Sequence, residues 1–140
     1  MFNRFLVPLT CVLLPVFLAA QQPPGGDPVV ENLFPPELVM SHQKAIGLDD
    51  AQKNYIRGEL LKAQTRFTEL QWHLQDDMEA LLALLKQTPV DEPQVMIRLD
   101  KVLNSEREIK RTQISLLVRI KNKLTPEQQS RLQKLRSESK

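Results

Sequence analysis

The chain predicts an all-α protein: a long antiparallel helical hairpin with short flanking N- and C-terminal helices. Three observations predict it. Pro23, Pro24, Pro28, Pro35 and Pro36 crowd one stretch, and proline is then absent from Glu37 to Thr88 and from Gln94 to Thr125. An interior proline removes a backbone donor and clashes with the preceding turn, so long helices run where it is missing. Within each free block apolar residues recur every three or four positions, the period of one helix face. Both long helices are also preceded by an aspartate able to accept the first free backbone N–H groups.

The chain opens with MFNRFLVPLTCVLLPVFLAA, one basic residue (Arg4), an apolar run from Phe5 to Phe17, and small residues at Ala19 and Ala20. This is the layout of a secretory signal peptide over residues 1–20, with cleavage after Ala20. Pro8 and Pro15 interrupt the run, and a membrane span needs about 20 predominantly apolar residues. Membrane association is therefore expected only if the segment is retained. Cleavage removes Cys11, the single cysteine, and with it all disulfide and thiol chemistry. It also removes Arg4, so the net charge falls from +2 to +1. That near balance gives no global attraction to nucleic acid.

Residues 21–36, beginning QQPPGGDP, read as a disordered Pro/Gly-rich tether. The folded domain is expected over 37–136, with 137–140 as a tail. A first helix is predicted from Glu37 to Ile46, stopped by Gly47 in the left-handed conformation that glycine tolerates. Asp49 then caps a second helix running from Asp50 to Lys86, with Asp50 at the positive end of its dipole. Its stripe reads Ile56, Leu60, Ala63, Phe67, Leu70, Leu74, Met78, Leu81 and Leu85, with Gly58 as a weak spot costing about 1 kcal/mol relative to alanine. QTPVDEP breaks the run and Asp91 caps a third helix. Its stripe is Val95, Leu99, Val102, Ile109, Leu116, Ile120 and Leu124, with Glu106 and Gln113 as polar interruptions. Thr125 caps a last helix, with Pro126 at its first position and Gln128 at capping-box spacing.

A hairpin of two helices has more apolar surface than it can bury on itself. Tyr55, Trp72 and Leu82 lie off the stripe of the second helix, and Met96, Leu103, Ile114 and Leu117 widen that of the third. Small folds commonly complete such cores by association, so a homodimer is expected. Charge distribution agrees: Glu31 to Glu79 holds nine acidic and five basic residues, and Arg107 to Arg136 nine basic and two acidic. Opposite-signed halves suit antiparallel packing within the hairpin or between chains.

No catalytic constellation stands out, so the chain is read as a non-enzyme with no cofactor. Asp76 and Asp77 are adjacent and point in different directions on a helix, and no serine elbow, phosphate loop or cysteine nucleophile is present. For metals the candidate ligand is His42, expected to fold near Glu59, with weak zinc, nickel or copper binding. Neither His42 nor His73 has a second histidine four residues on, which would be the strong helical signal. Met40, Met78 and Met96 at helical spacing read as core filler. The basic stretch REIKRTQISLLVRIKNK reads as an amphipathic surface for acidic or unfolded protein partners or anionic headgroups, not for nucleic acid.

Two segments repeat one pattern: Leu48-Asp49-Asp50-Ala51-Gln52 and Leu124-Thr125-Pro126-Glu127-Gln128. The second matches LTxxQ fully; the first replaces threonine by aspartate, which keeps the cap. With the export signal, the tether and the long hairpin, the chain resembles the Spy/CpxP-like LTxxQ periplasmic family, including its heavy-metal resistance and metal-sensor relatives. The likeness covers roughly Leu33 to Leu135, and FPPELVMSHQKAIGL is similar to the metal-resistance branch. The resemblance implies an interlocked homodimer curved into a cradle, acting as an ATP-independent chaperone or as an accessory to an envelope-stress sensor. Metal-binding relatives cluster histidines on the first and third helices; here the first helix has only His42 and the third has none.

The expected function is reversible protein binding in the periplasm. A heavy-metal-binding sensor or resistance protein, and a regulatory partner of a sensor kinase or anti-sigma factor, stand as alternatives. Arg66, Phe67, Trp72, Leu82, Arg111, Leu117 and Arg119 are the expected client or dimer surface. Leu48, Asp49, Gln52, Leu124, Thr125 and Gln128 are expected to fix helix starts.

Overall fold

The structure, a computed structural model, describes residues 28–138. The expected signal segment, the first part of the expected tether and the end of the tail lie outside the described residues. Five helices follow in order: α1 (Pro28–Glu31), α2 (Pro36–Ser41), α3 (Asp50–Leu85), α4 (Glu92–Lys123) and α5 (Pro126–Glu138). The described residues contain no strand. α3 and α4 pack along one another as the long hairpin, and α2 and α5 fold onto its open end.

The expected helix starts are those observed. Asp49 Oδ1 accepts the Gln52 N–H at 2.7 Å, and Gln52 Oε1 accepts the Asp49 N–H at 3.2 Å, a complete capping box. Asp91 Oδ1 accepts the Gln94 N–H at 3.1 Å, ahead of α4. Thr125 Oγ1 accepts the Gln128 N–H at 3.2 Å, and Gln128 Oε1 accepts the Thr125 N–H at 2.9 Å. Lys86 closes α3, and the turn to α4 contains a cis Thr88–Pro89 bond.

The first helix is shorter than its predicted span. α2 ends at Ser41, where the Leu38 carbonyl oxygen accepts the His42 N–H at 3.3 Å with Ser41 Oγ 3.1 Å and His42 Nδ1 3.0 Å away. Hydrogen-bonded turns carry the chain on to Gly47, whose φ is +66°. There the Leu48 N–H reaches the Gln43 carbonyl at 2.9 Å and the Gly47 N–H reaches that of Lys44 at 3.2 Å, a Schellman stop.

Residues 28–36, expected in the tether, form a strap across the open end of the hairpin. Leu33 and Phe34 are buried there. Lys121 Nζ donates to the Asn32 carbonyl at 2.9 Å, and Arg136 donates to those of Glu31, at 2.6 Å, and Leu33. The Arg136 guanidinium and the Lys121 ammonium also stand over the Phe34 ring, 5.3 and 6.0 Å from its centroid. The Leu33-Phe34 pair is the apolar signal that proline and glycine overshadowed in the sequence.

The seam between the long helices follows a stricter period than the predicted stripe. Ile56, Leu60, Ala63, Phe67, Leu70, Leu74, Asp77, Leu81 and Leu84 alternate fours and threes, a 3.5-residue repeat that keeps one side facing the partner helix. Asp77 and Leu84 thus replace Met78 and Leu85, which are exposed. On α4 the polar seam positions are Ser105 and Thr112, not Glu106 and Gln113, which are exposed. Two cores result. At the base, Phe34, Val39, Ile46, Leu48, Ile56, Ala63, Leu116, Ile120, Leu124 and Leu132 form one cluster. Near the turn the cluster is Leu81, Val95 and Val102, edged by Leu74, Leu84 and Leu99.

Candidate functional site

The two motif copies, expected to act as separate helix starts, meet at the base. Gln52 Nε2 donates to Gln128 Oε1 at 2.8 Å, and Gln128 Nε2 donates back to Gln52 Oε1 at 3.0 Å. Each amide also reaches the residue ahead of the other motif: Gln52 Nε2 bonds the Lys123 carbonyl at 2.9 Å, and Gln128 Nε2 that of Gly47 at 3.3 Å. Each glutamine therefore closes its own cap and locks the other copy. Both amides are buried, and no buried polar side-chain atom among the described residues lacks a partner. Leu48 and Leu124 drop into the base core beside them. The repeat of glutamine four residues after a leucine was the signal for this pairing.

Further along the hairpin a cleft of about 360 Å³ opens between α3 and α4. Three of the predicted surface residues, Arg66, Arg111 and Arg119, line it with Lys62. Sequence reasoning missed Glu59 as its organiser. Its carboxylate is nearly buried, and it accepts from Arg119 Nη1 across the helix pair at 2.6 Å and from Lys62 Nζ at 2.8 Å. Hydrogen bonds from the Lys62 ammonium and then the Arg119 guanidinium hold its carboxyl below the usual carboxylate range, against burial, which raises it. The same bond raises Arg119 further. A glutamate between Ile56 and Ala63, facing the seam, was the available signal.

The other predicted surface residues do not join this cleft. Leu117 is buried within the protomer, and Phe67 is half-buried against the base core. Trp72 and Leu82 are 63% and 48% exposed and line no part of the cleft, with the polar Gln75 and Glu79 between them on that side of α3. On α4, Met96 and Leu103 are likewise about half exposed, 48% and 51%. Tyr55 lies under the Lys123 ammonium, 5.0 Å from its ring centroid.

His42 is half-buried on the last turn of the α2 segment, with Nδ1 2.9 Å from Ser41 Oγ as well as near the Leu38 carbonyl. Glu59, its expected neighbour, is taken by Lys62 and Arg119. The described residues hold no group of three or more His, Cys, Asp or Glu side chains arranged for a metal ion. His42 Nε2 is the one imidazole nitrogen of that residue left for a ligand. No helix of the described residues is long and apolar enough to cross a membrane.

A family model described as heavy-metal resistance matches residues 6–136, and that family falls within the Spy/CpxP-like LTxxQ group. No curated protein and no solved structure matches the chain.

Proposed function

Because the chain belongs to the heavy-metal resistance family, we propose that it is an exported periplasmic accessory protein, not an enzyme, that works by reversible protein binding under envelope stress. One observation carries the reading: along the arm Trp72 and Leu82 on α3 and Met96, Ile97 and Leu103 on α4 are each about half exposed or more, so the protomer leaves several large apolar side chains in water there. Large apolar side chains gathered on one arm and left in water are what a partner would bury. A second copy covers part of it in a homodimer, and unfolding envelope proteins, a sensor kinase or an anti-sigma factor are the partner classes for the rest.

Two measurements test this. The purified protein at stoichiometric dose is expected to suppress aggregation of an unfolded client; unchanged aggregation would falsify the chaperone reading. Trp72→Ala with Leu82→Ala is expected to weaken self-association and client protection. Each exposed substitution should change protomer stability by less than about 0.5 kcal/mol.

The family match favours a second reading, binding of a heavy-metal ion through His42. Calorimetric titration with zinc, nickel and copper tests it. Micromolar binding abolished by His42→Ala would establish it, and no heat would remove it.

A further inference from the structure

The α3–α4 cleft has a charge pattern that neither the hairpin packing nor apolar docking on the far side of α3 requires. Lys62, Arg66, Arg111 and Arg119 line it with the carboxylates of Glu59 and Glu108, four cations to two anions. These positions recur at helical spacing, 59, 62, 63 and 66 on α3 and 108, 111, 112, 115, 116 and 119 on α4, so one face of each helix forms each wall.

The cations differ in how far they are committed. Glu59 takes Arg119 and Lys62 at 2.6 and 2.8 Å. Arg111 is 74% exposed and held only by a loose 3.6 Å contact with Glu108. Arg66 is half exposed and turned to Glu69, outside the cleft lining, at 3.1 Å. A guanidinium carries five N–H donors in a planar fork, and one carboxylate contact leaves most of them free. Between these arginines stand the hydroxyls of Thr112 and Ser115, which make no hydrogen bond among the described residues. The volume, about 360 Å³, falls within the roughly 300–1,000 Å³ of small-ligand sites.

We propose that this cleft is a binding site for a phosphate-class oxyanion, gripped by Arg66 and Arg111 with Thr112 and Ser115, and that the Glu59 carboxylate is the built-in anion already holding the deeper half. The planar fork of an arginine suits an oxyanion that can take two N–H bonds at once, which diffuse attraction does not require. The phosphate has two sources, a free diphosphate or a phospholipid headgroup. The site stands apart from the protein-binding reading, because its residues lie on the other side of α3 from Trp72 and Leu82.

Calorimetry and phosphorus NMR on the purified protein, as processed by the cell that expresses it, test the site with inorganic pyrophosphate and with phosphatidylglycerol vesicles. Saturable binding is expected, weakened about tenfold in Arg111→Gln through loss of a charge-assisted contact. Arg98→Gln, which removes an equal charge paired with Asp77 outside the cleft, should leave it unchanged. Glu59→Gln should strengthen binding by freeing Arg119 and Lys62, a gain that a merely structural glutamate would not give. Circular dichroism on each variant checks the fold, and Arg111→Gln decides alone if Glu59→Gln unfolds. Arg111-dependent binding of vesicles makes the headgroup the source, and of pyrophosphate a free phosphate; either upholds the site. Absence of saturable binding to both probes, or equal weakening by Arg98→Gln and Arg111→Gln, overturns it.

Discussion

The base and the arm of the hairpin are built from the same two helices and held by different physics. At the base, α2, α5 and the strap wrap α3 and α4, so Val39, Ile56, Ile120 and Leu132 are fully buried. A reciprocal glutamine pair ties the two chain reversals together there. On the arm two helices meet alone, and beyond Leu70, Leu81, Val95 and Val102 the large apolar side chains remain partly in water. The same apolar content thus stabilises the protomer at one end and remains available to partners at the other. The difference teaches that neighbours, more than helix length or stripe quality, decide where this hairpin is rigid.

The largest effect should come from emptying the base. Leu132→Ala is expected to cost about 2–5 kcal/mol by urea denaturation, the transfer free energy plus a cavity that surrounding helices cannot close. Leu81→Ala on the arm should fall at or below the bottom of that range, because the site is open enough to collapse. Equal costs would erase the distinction between the two ends. Amide exchange should follow the same gradient, with arm hydrogens exchanging through smaller openings than those of the base.

Next is the glutamine pair. Gln52→Ala leaves the buried Gln128 amide short of a partner, at a cost of about 1–3 kcal/mol. Adding Gln128→Ala should cost less than the sum of the two single changes, since both break one network. Full additivity in the cycle would mean that the amides act only as separate caps.

A smaller effect comes from Glu59, which ties α3 to α4 through Arg119 beside the base. Its carboxyl is lowered in the folded protein by Lys62 and Arg119. Its contribution is therefore complete above the ordinary carboxylate range and is lost as pH falls through the lowered native value. Stability measured down an acid series should fall less steeply in Glu59→Gln than in the unaltered chain. Parallel curves would show that solvent around Lys62, 73% exposed, screens the bridge.

The smallest expected change is a gain. α3 runs unbroken through Gly58, where an added Cβ would meet nothing within 4 Å. Gly58→Ala should stabilise by roughly 0.5–1 kcal/mol, chiefly by restricting the unfolded chain. A loss instead would place a partner surface against that position.

By itself the sequence determined what depends on near neighbours. Asp49, Asp91 and Thr125 each bond a backbone group three residues on, and Gly47 needs only its own φ; such signals are local, so they can be read in one dimension. The helical hairpin follows from them with the apolar period. Only the tertiary structure decided which side of each helix meets another. A choice between Met78 and Asp77 turns on a 3.5- rather than 3.6-residue repeat, which sequence spacing resolves poorly and helix contact resolves fully. The strap shows the same limit: Leu33 and Phe34 looked stranded in a tether until Lys121 and Arg136, about a hundred residues along the chain, supplied partners. Arg66, Arg111 and Arg119 were legible as basic residues; that they line one cleft with Glu59 was not. Gln52 and Gln128 were legible as two helix starts; that they bond each other is a long-range fact, fixed when the hairpin closes and brings its two ends together.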